Sequence, residues 1–484
     1  MMHPRTNRRL PLCGACTTAV LIFGTAGCGA LRPATAANEM PGIADTPADT
    51  ARPAPASAAS SPPVASRMDL AAPLAPFAPP PFALTPPPPA ARLERARVAD
   101  AGMDSTALAR VDSLIVRAIR DGVTPGAALA VGRRGGLVRL RGYGRVDWAR
   151  GAAAVSDSTV YDLASLTKVV ATTTAAMLLV EERLLHLDAP LARWIPEWAD
   201  RTPQRFITPR HLLTHSGGLS AGSDLYGKPG GWDGAIRAVI DAPLIYWPGS
   251  RMVYSDFDMI LLGAVLERIA GETLDYFMAH RVFGPLGMRD TGFNPWDWPG
   301  ALTEVRDVGQ AKPRPPILAR VAPTELDRSV RRRHLHGEVH DLNAHALGGV
   351  AGHAGLFSSA RDLAVFAQFM LNGGAYGDRH LLRPRTIELF TMRQSPLSAR
   401  ALGWETPSGN SSAGAYFPVT AYGHTGFTGT SIWIDPERDL FVVLLTNRVN
   451  PTSRNQKHVP LRRAVHDAVQ LAITDAVLVP RAGD

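Results

Sequence analysis

The chain is poor in cysteine, and the position of its few cysteines limits the chemistry available to it. Among 484 residues there are three, Cys13, Cys16 and Cys28, all within the first 28 positions. The body of the chain therefore has neither a disulfide nor a thiol nucleophile. The spacing of Cys13 and Cys16 matches a redox or zinc pair, but both lie in a segment that we expect to be cleaved.

Lysine is scarcer than arginine to an unusual degree. Only four of the 51 basic residues are lysines, and Lys168 follows Ser165 by three positions in the only Ser-x-x-Lys of the chain. Arginine does not lose its proton in a protein, whereas a buried lysine amine can. The pattern predicts a neutral Lys168 amine with a depressed pKa, acting as a base toward Ser165. The structural alternative is an exposed helix lysine near a capping serine.

Long apolar runs are absent except near the start of the chain. Arginines at positions 5, 8 and 9 precede an apolar stretch, 10–23, and a small-residue site that ends at Cys28. This is typical of a signal peptide over 1–28, and it resembles a bacterial lipoprotein signal with Cys28 as the lipidated residue. Thr25 departs from the usual residue, so ordinary cleavage near 34–36 stays open, as does twin-arginine export through the Arg8-Arg9 pair.

The next segment, 29–95, has few aromatic residues and contains 16 of the 41 prolines. It cannot bury enough surface to offset its chain entropy, and it predicts an extended tether between a membrane anchor and a folded domain. The formal charge of +8 is spread along the chain, with one run at 331–333. Nothing in it indicates a nucleic-acid partner.

The residues from 96 to 480 have the patterns of a folded domain. Strands are predicted near both ends of this region, with helices between them. The predicted strands cover 126–131, 137–143, 430–434 and 440–446, and the predicted helices cover 107–119, 166–180, 259–269, 362–371 and 459–477. This order predicts an α+β fold, in which an antiparallel sheet is flanked by the terminal helices and carries a helical insertion. The oligomeric state is left open.

Three short motifs follow one another in a specific order. After Ser165-x-x-Lys168 come Tyr254-Ser255-Asp256 and then His424-Thr425-Gly426-Phe427. In this order and spacing, over roughly 100–475, the chain resembles the β-lactamase and penicillin-binding-protein superfamily. The resemblance is to its class C β-lactamase-related serine hydrolases, which include family VIII-type esterases and D-amino-acid peptidases. It implies a three-layer α/β/α fold of the β-lactamase/transpeptidase type.

The resemblance also implies roles for the motif residues. Ser165 is expected to be the acylated nucleophile, Lys168 the amine that helps to deprotonate it, and Tyr254 the phenol that relays protons. The backbone N–H groups of Ser165 and Phe427 are expected to form the oxyanion hole, and Thr425 to line the substrate strand. Without the resemblance, Tyr254 is a half-buried structural tyrosine, and Thr425 and Gly426 are turn residues.

Two motif positions depart from the family pattern. Asp256 stands where β-lactamases often have asparagine, and His424 stands where a fixed cation is usual. A donor amide has become an acceptor, and a permanent charge has become a group expected to titrate near neutral pH. Both changes favour an esterase or a D-amino-acid peptidase over efficient β-lactam recognition. Asp256, His424, Thr425 and Gly426 are the predicted substrate-binding residues, although Asp256 could instead cap the following helix.

Two further patterns compete with this assignment. Ser220 lies in a Gly-x-Ser-x-Gly, but the strand and helix that a nucleophile elbow requires are not predicted around it. The run 334–341 contains three histidines without a recognisable zinc spacing, and His340 and His353 are expected to be structural or to lie beside the cleft.

The sequence therefore predicts an exported, lipid-anchored serine hydrolase of the bacterial cell envelope that faces the periplasm. Neither a metal nor a cofactor is expected, and the substrate is a small molecule or of peptidoglycan type. The alternatives are a penicillin-binding or peptidoglycan-sensing protein with little turnover and, less favoured, a metallohydrolase.

Overall fold

The computed structural model describes residues 90–298, 316–395, 398–409 and 411–481. All of them belong to one compact unit. The predicted signal segment 1–28, with Cys28, lies outside the described residues, as does the tether up to residue 89. The last tether residues are a correction, because Ala90 bridges to Gly377 and residues 94 and 95 form a strand of the main sheet. The folded domain therefore includes residues 90–95.

The described part of the chain contains thirteen strands. Their bounds are β1 Glu94–Arg95, β2 Gly126–Arg133, β3 Gly136–Gly144, β4 Val160–Asp162, β5 Gly292–Phe293, β6 Leu326–Asp327, β7 Arg333–His334, β8 Leu356–Ser359, β9 Ala375–Tyr376, β10 Arg379–His380, β11 Tyr422–Thr425, β12 Ser431–Asp435 and β13 Leu440–Thr446. Six form an open sheet in the order β1-β3-β2-β13-β12-β11, antiparallel except for β1 on β3. A smaller sheet has the order β4-β8-β5. Strand β11 therefore lies at an edge of the large sheet.

Helices occupy both ends of the domain and most of the sequence between them. Their bounds are α1 Ser105–Arg120, α2 Thr174–Glu181, α3 Pro209–Leu213, α4 Gly231–Ile240, α5 Asp256–Ala270, α6 Leu274–Met278, α7 Gly284–Leu286, α8 Ile317–Arg320, α9 Leu342–Ala346, α10 Ala360–Leu371, α11 Pro384–Thr391 and α12 His458–Gln470. The predicted helices at 107–119, 259–269 and 362–371 match α1, α5 and α10. Helix α12 ends seven residues before the predicted end at 477.

The sheet is buried on both faces, and successive residues of β2 show how. Ala127, Leu129 and Val131 belong to one core cluster with residues of α1 and α12, while Ala128 and Ala130 belong to a second cluster with residues of α2, α5 and α10. Side chains alternate between the faces of a strand, so one strand of continuous apolar character supplies both cores. This gives the predicted three-layer arrangement, with terminal helices on one face and the helical region on the other.

The stretch predicted as a helix over 166–180 is irregular. It begins as a 3₁₀ turn at Ala164–Leu166, continues as a π-helical segment at Lys168–Thr173 and becomes α2 only at Thr174. The whole stretch Ala164–Glu181 has the length and hydropathy of a membrane-spanning helix, but 83% of it is buried inside the domain. That burial is what a core helix of a globular protein shows.

Candidate active site

Ser165 is presented by a tight turn between β4 and the buried helical stretch. The carboxylate of Asp162 accepts hydrogen bonds from the Ala164 N–H at 2.8 Å and from the His340 N–H at 2.6 Å. Ala164 has a φ of +47°, which a residue with a side chain rarely adopts. Such a strained backbone persists only where its surroundings fix it, and here it lies directly before Ser165.

Lys168 reaches back to Ser165 from one turn further along. Its Nζ donates to Ser165 Oγ at 2.9 Å and to the His353 carbonyl oxygen at 3.1 Å, and it lies 2.8 Å from Asp256 Oδ1. The side chain is completely buried. The structural alternative of an exposed helix lysine is therefore wrong.

The predicted depression of the Lys168 pKa is also wrong. Burial lowers this pKa, but the Asp256 carboxylate and the Tyr254 side chain together outweigh burial, so the pKa lies above its ordinary value. A carboxylate in contact with an ammonium stabilises the charged form. Lys168 is therefore an ammonium in the resting enzyme, and it must pass on a proton before it can accept one.

Tyr254 and Asp256 are set by the start of α5. Ser255 caps this helix by accepting a hydrogen bond from the Asp258 N–H, so the possible capping role of Asp256 is wrong. Asp256 is the first helical residue and pairs with Lys168 instead. The ring centroid of Tyr254 lies 4.9 Å from Lys168 Nζ. The structure therefore brings Ser165, Lys168, Tyr254 and Asp256 together.

His424 does not behave as the sequence predicts. Burial, followed by the charges of Arg400 and Lys168, holds its pKa well below the ordinary value, so it stays neutral at physiological pH. Its Nδ1 lies 2.8 Å from the Thr425 carbonyl oxygen, which places the proton on Nδ1, and its buried Nε2 has no partner among the described residues. The prediction that His424 titrates near neutral pH is wrong because the ring is desolvated between cations.

The two predicted oxyanion donors are both free. Within the described residues, neither the Ser165 N–H nor the Phe427 N–H donates to another group. Gly426, between Thr425 and Phe427, lies where a side chain would not fit, since an added Cβ would come within 2.3 Å of the Leu163 carbonyl oxygen and 2.1 Å of Thr430 Oγ1. Gly426 thus allows the two halves of the site to approach each other, and this contact explains the glycine without a direct role in binding.

A cleft of about 470 Å³ opens over these residues. Ser165, Tyr254, Asp256 and Phe427 contribute to its walls, whereas His424, Thr425 and Gly426 do not. Much of the remaining lining comes from polar residues of 325–343, among them the predicted cleft residue His340. The cleft is large enough for a small ligand or a peptide end.

The competing patterns are placed away from this chemistry. Ser220 lies in a loop without the strand and helix of a nucleophile elbow, and its carbonyl accepts a hydrogen bond from Ser255 Oγ. In the run 334–341, the side chains of His334 and His336 contact separate backbone carbonyls, and that of His340 contacts Glu325.

One group of possible metal ligands exists in the described part of the chain, and it differs from the histidine run. Asp256, Asp341 and His353 have ligand atoms within 4.8 Å of one another. Lys168 Nζ lies against Asp256, and His353 Nε2 lies 2.8 Å from Asp341 Oδ1, so these charges are already compensated. The donor set fits an internal ion-pair network better than a metal centre.

Sequence patterns did not identify several residues of the site. His215 packs its ring 4.5 Å from that of Tyr254, and its Nδ1 accepts a hydrogen bond from the Ser255 N–H. Burial, with the charges of Arg400 and Lys168, holds the pKa of His215 well below its ordinary value. Arg400 lies with Cζ 5.2 Å from the Tyr254 ring centroid. His215 lies within a stretch that resembles the family, 212–219, but Arg400 carries no motif signal.

Comparisons with known proteins agree on the family. The family model described as Beta-lactamase matches residues 91–467. A protein of Escherichia coli K12, provisionally named as a D-alanyl-D-alanine carboxypeptidase, is 36% identical over 331 residues, 62% of this chain and 72% of its own. A protein of Escherichia coli O157:H7 with the same provisional name is 33% identical over 395 residues, 74% of this chain and 86% of its own.

Solved structures show the same fold. EstCE1, titled a hydrolase with promiscuous acyltransferase activity, has a TM-score of 0.55 at 24% identity, covering 75% of this chain and 99% of its own. Unliganded simvastatin synthase LovD from Aspergillus terreus has a TM-score of 0.60 at 20% identity, covering 76% and 99%. A penicillin-binding protein homologue from Pyrococcus abyssi has a TM-score of 0.52 at 22% identity, covering 70% and 73%. The chain therefore belongs to the beta-lactamase family and is a serine hydrolase of it.

Proposed function

We propose that the protein is an exported carboxypeptidase-type hydrolase that removes the last residue of D-amino-acid peptides through an acyl-enzyme on Ser165. The Ser165 hydroxyl attacks the scissile carbonyl carbon, and its proton passes to the Lys168–Tyr254 pair. The carbonyl oxygen takes up negative charge beside the Ser165 and Phe427 N–H groups. Protonation then releases the terminal amino acid, and water hydrolyses the ester to restore Ser165.

The observation that carries the carboxypeptidase proposal is the position of Arg400. Its Nη1 is buried without a hydrogen-bond partner among the described residues, and its guanidinium lies beside Tyr254 and close enough to His424 to depress that pKa. A guanidinium with an unused donor next to the reacting groups fits a free carboxylate on the substrate. The C-terminal carboxylate of a peptide is such a group.

The outer edge of the sheet supports the same conclusion. Glu405 pairs with Gly423 of β11 through two backbone hydrogen bonds of 2.9 Å, and Arg400 and Glu405 bridge to each other in a short hairpin. This hairpin covers β11 before His424. A substrate strand that lies along β11 can therefore extend only a short distance in this direction, as a carboxypeptidase requires. The provisional names of the Escherichia coli relatives agree with this substrate class.

The decisive experiment compares a peptide that ends in D-Ala-D-Ala with the same peptide as a C-terminal amide. We expect the free acid to be the better substrate and Arg400→Met to remove most of that preference. Arg95→Met, which changes an exposed arginine on the opposite edge strand, is the matched control. Equal turnover of acid and amide by the wild type would reject the carboxylate role of Arg400.

Ester hydrolysis or acyl transfer is the second candidate function. It is favoured by Asp256, which offers no amide donor and is occupied by Lys168, and by a neutral His424 in place of a fixed cation. The titles of two structural neighbours name acyl-transfer chemistry. Turnover of a short acyl ester, a chromogenic cephalosporin and the peptide, measured in parallel, ranks these substrates. A single burst without further turnover would instead support a penicillin-binding or sensing protein, and loss of turnover with chelators would support a metallohydrolase.

Export and lipid anchoring are proposed from the N-terminal sequence alone. Cys28 would be the lipidated residue, and the proline-rich tether would hold the domain away from a bacterial envelope membrane on its periplasmic side. Stable anchoring needs more than one acyl chain. Detergent partitioning and mass spectrometry test this proposal. An unmodified N-terminus beyond Ala36 would reject lipidation.

A further inference from the structure

The turn that carries the second oxyanion donor is short and projects into the cleft. Residues 426–430 connect β11 to β12, closed by a hydrogen bond of 2.8 Å from the Gly426 N–H to the Thr430 carbonyl. Phe427 follows Gly426, and its side chain is 52% exposed. A peptide group at such a turn can rotate unless its carbonyl and N–H are held. The direction of the Phe427 N–H therefore depends on what binds the rest of the turn.

The front of the turn is attached to the nucleophile segment by two hydroxyl groups. Thr428 Oγ1 donates to the Asp162 carbonyl at 2.8 Å, and Thr430 Oγ1 donates to the Leu163 carbonyl at 3.0 Å. These carbonyls come just before Ala164 and Ser165 in the chain. The two hydroxyls therefore fix the distance between the halves of the oxyanion hole, but they do not contact the peptide group that contains the Phe427 N–H.

That peptide group is held from behind by helix α12. Arg462 Nη2 donates to the Gly426 carbonyl, and at 2.8 Å to the Thr430 carbonyl. The Gly426 carbonyl and the Phe427 N–H belong to one planar trans peptide, in which they point in opposite directions. A donor that binds this carbonyl from the buried side therefore turns the N–H away from the core, toward the cleft.

A second arginine fixes the rest of Phe427. Arg448 Nε donates to the Phe427 carbonyl at 2.7 Å, and its Cζ lies 4.3 Å from the centroid of the Phe427 ring. Arg448 is itself held by the carbonyl of Asn455. Both arginines are more than nine-tenths buried.

We propose that Arg462 is a positioning residue for acyl transfer, which acts through the Gly426 carbonyl to aim the Phe427 N–H at the developing oxyanion, with Arg448 securing Phe427. The proposal rests on the acyl-enzyme mechanism proposed above. It gives the C-terminal helix a function in catalysis that its distance from the motifs in sequence does not reveal.

The test compares Arg462→Met, Arg462→Gln and Arg462→Lys with the wild type on a short acyl ester. Loss of one oxyanion donor reduces turnover by about 10²-fold or more. We therefore expect kcat of the methionine variant to fall by about this factor with little change in KM, and the lysine variant to recover most of the loss. Affinity for a boronic acid that forms a tetrahedral adduct on Ser165 should fall in parallel with kcat. The glutamine variant, whose amide can still donate, covers the case in which Arg462→Met does not fold.

Arg133→Lys is the matched control, because Arg133 is also buried and also donates to two backbone carbonyls, but at the other end of the β2–β13 pair. It should lower the melting temperature without changing kcat. A folded Arg462→Met or Arg462→Gln enzyme with normal kcat and boronate affinity would overturn the proposal. If the wild type is not labelled at Ser165 by a fluorophosphonate, the acyl-enzyme mechanism itself fails, and this inference fails with it.

Discussion

Two clusters of buried cations flank the catalytic groups, and they are solvated in different ways. Lys168 lies in contact with a carboxylate, Asp256, at 2.8 Å. Arg448 and Arg462, behind the turn, donate to backbone carbonyls and form no ion pair with a described carboxylate. The pKa of Lys168 is raised as a result, whereas burial and the neighbouring Arg448 lower the pKa of Arg462 to about 9.

The difference separates two uses of a buried positive charge. Arginine stays protonated even when burial lowers its pKa by several units, so it can serve as a permanent donor to carbonyls. Lysine can exchange its proton, and a carboxylate beside it sets the pH at which it does so. The chain uses arginine almost everywhere, and it has lysine at the position where a proton must move.

The largest expected effect is the loss of the nucleophile. Ser165→Ala should reduce turnover by a factor of order 10³ or more and should abolish labelling by a fluorophosphonate. Ser220→Ala, which changes the serine of the competing motif, should retain most activity. The reverse pattern would place the chemistry outside the Lys168 cluster, and the comparison of the two clusters would then have no bearing on catalysis.

The next prediction exchanges the kinds of cation. Lys168→Arg keeps a positive charge beside Asp256 but cannot accept a proton, so acylation should slow by about a hundredfold, the low end of general-base assistance. Lys457→Arg, a lysine that donates to the Asp121 carbonyl at the surface, is the control for the substitution itself. Near-normal acylation by a folded Lys168→Arg enzyme would show that Lys168 acts only through its charge, as the arginines do.

A change of Asp256 tests the carboxylate that distinguishes the clusters. Asp256→Asn removes a negative charge that raises the pKa of Lys168, so the neutral amine should form at lower pH. The rising limb of the acylation rate against pH should therefore move toward lower pH. Asp241→Asn, at an exposed ion pair with Arg201, should leave the profile in place. A shift toward higher pH would contradict the assigned sign.

The smallest expected effect is on the link between the clusters. Thr428→Val keeps the volume of the side chain but leaves the buried Asp162 carbonyl without its hydroxyl donor, so the free energy of unfolding should fall by about 1–3 kcal/mol. Chemical denaturation measures this change. Thr406→Val, at another buried threonine whose hydroxyl donates to the carbonyl of Ala399, is the comparison. An unchanged stability would show that the hydroxyl link does not hold the two halves together.

Much of the fold could be read from local patterns. The apolar strand 126–131 predicted a buried strand, and β2 supplies both cores through alternate residues. The helix at 107–119 was predicted within two residues of α1. The stretch 166–180 was predicted as a regular helix, but it contains 3₁₀ and π segments because the backbone there is fixed by Asp162 and by burial rather than by helical propensity.

The sequence by itself determined the family, the order of the three motifs and the layers of the fold, because these depend on residue type and spacing along the chain. Only the tertiary structure decided the charge of Lys168, the neutrality of His424 and the positions of Arg400 and Arg462. A pKa depends on which charges and how much water surround a group. Those surroundings are assembled here from α5, β11, α12 and the 399–406 hairpin, which lie far apart in sequence, so no local pattern could specify them.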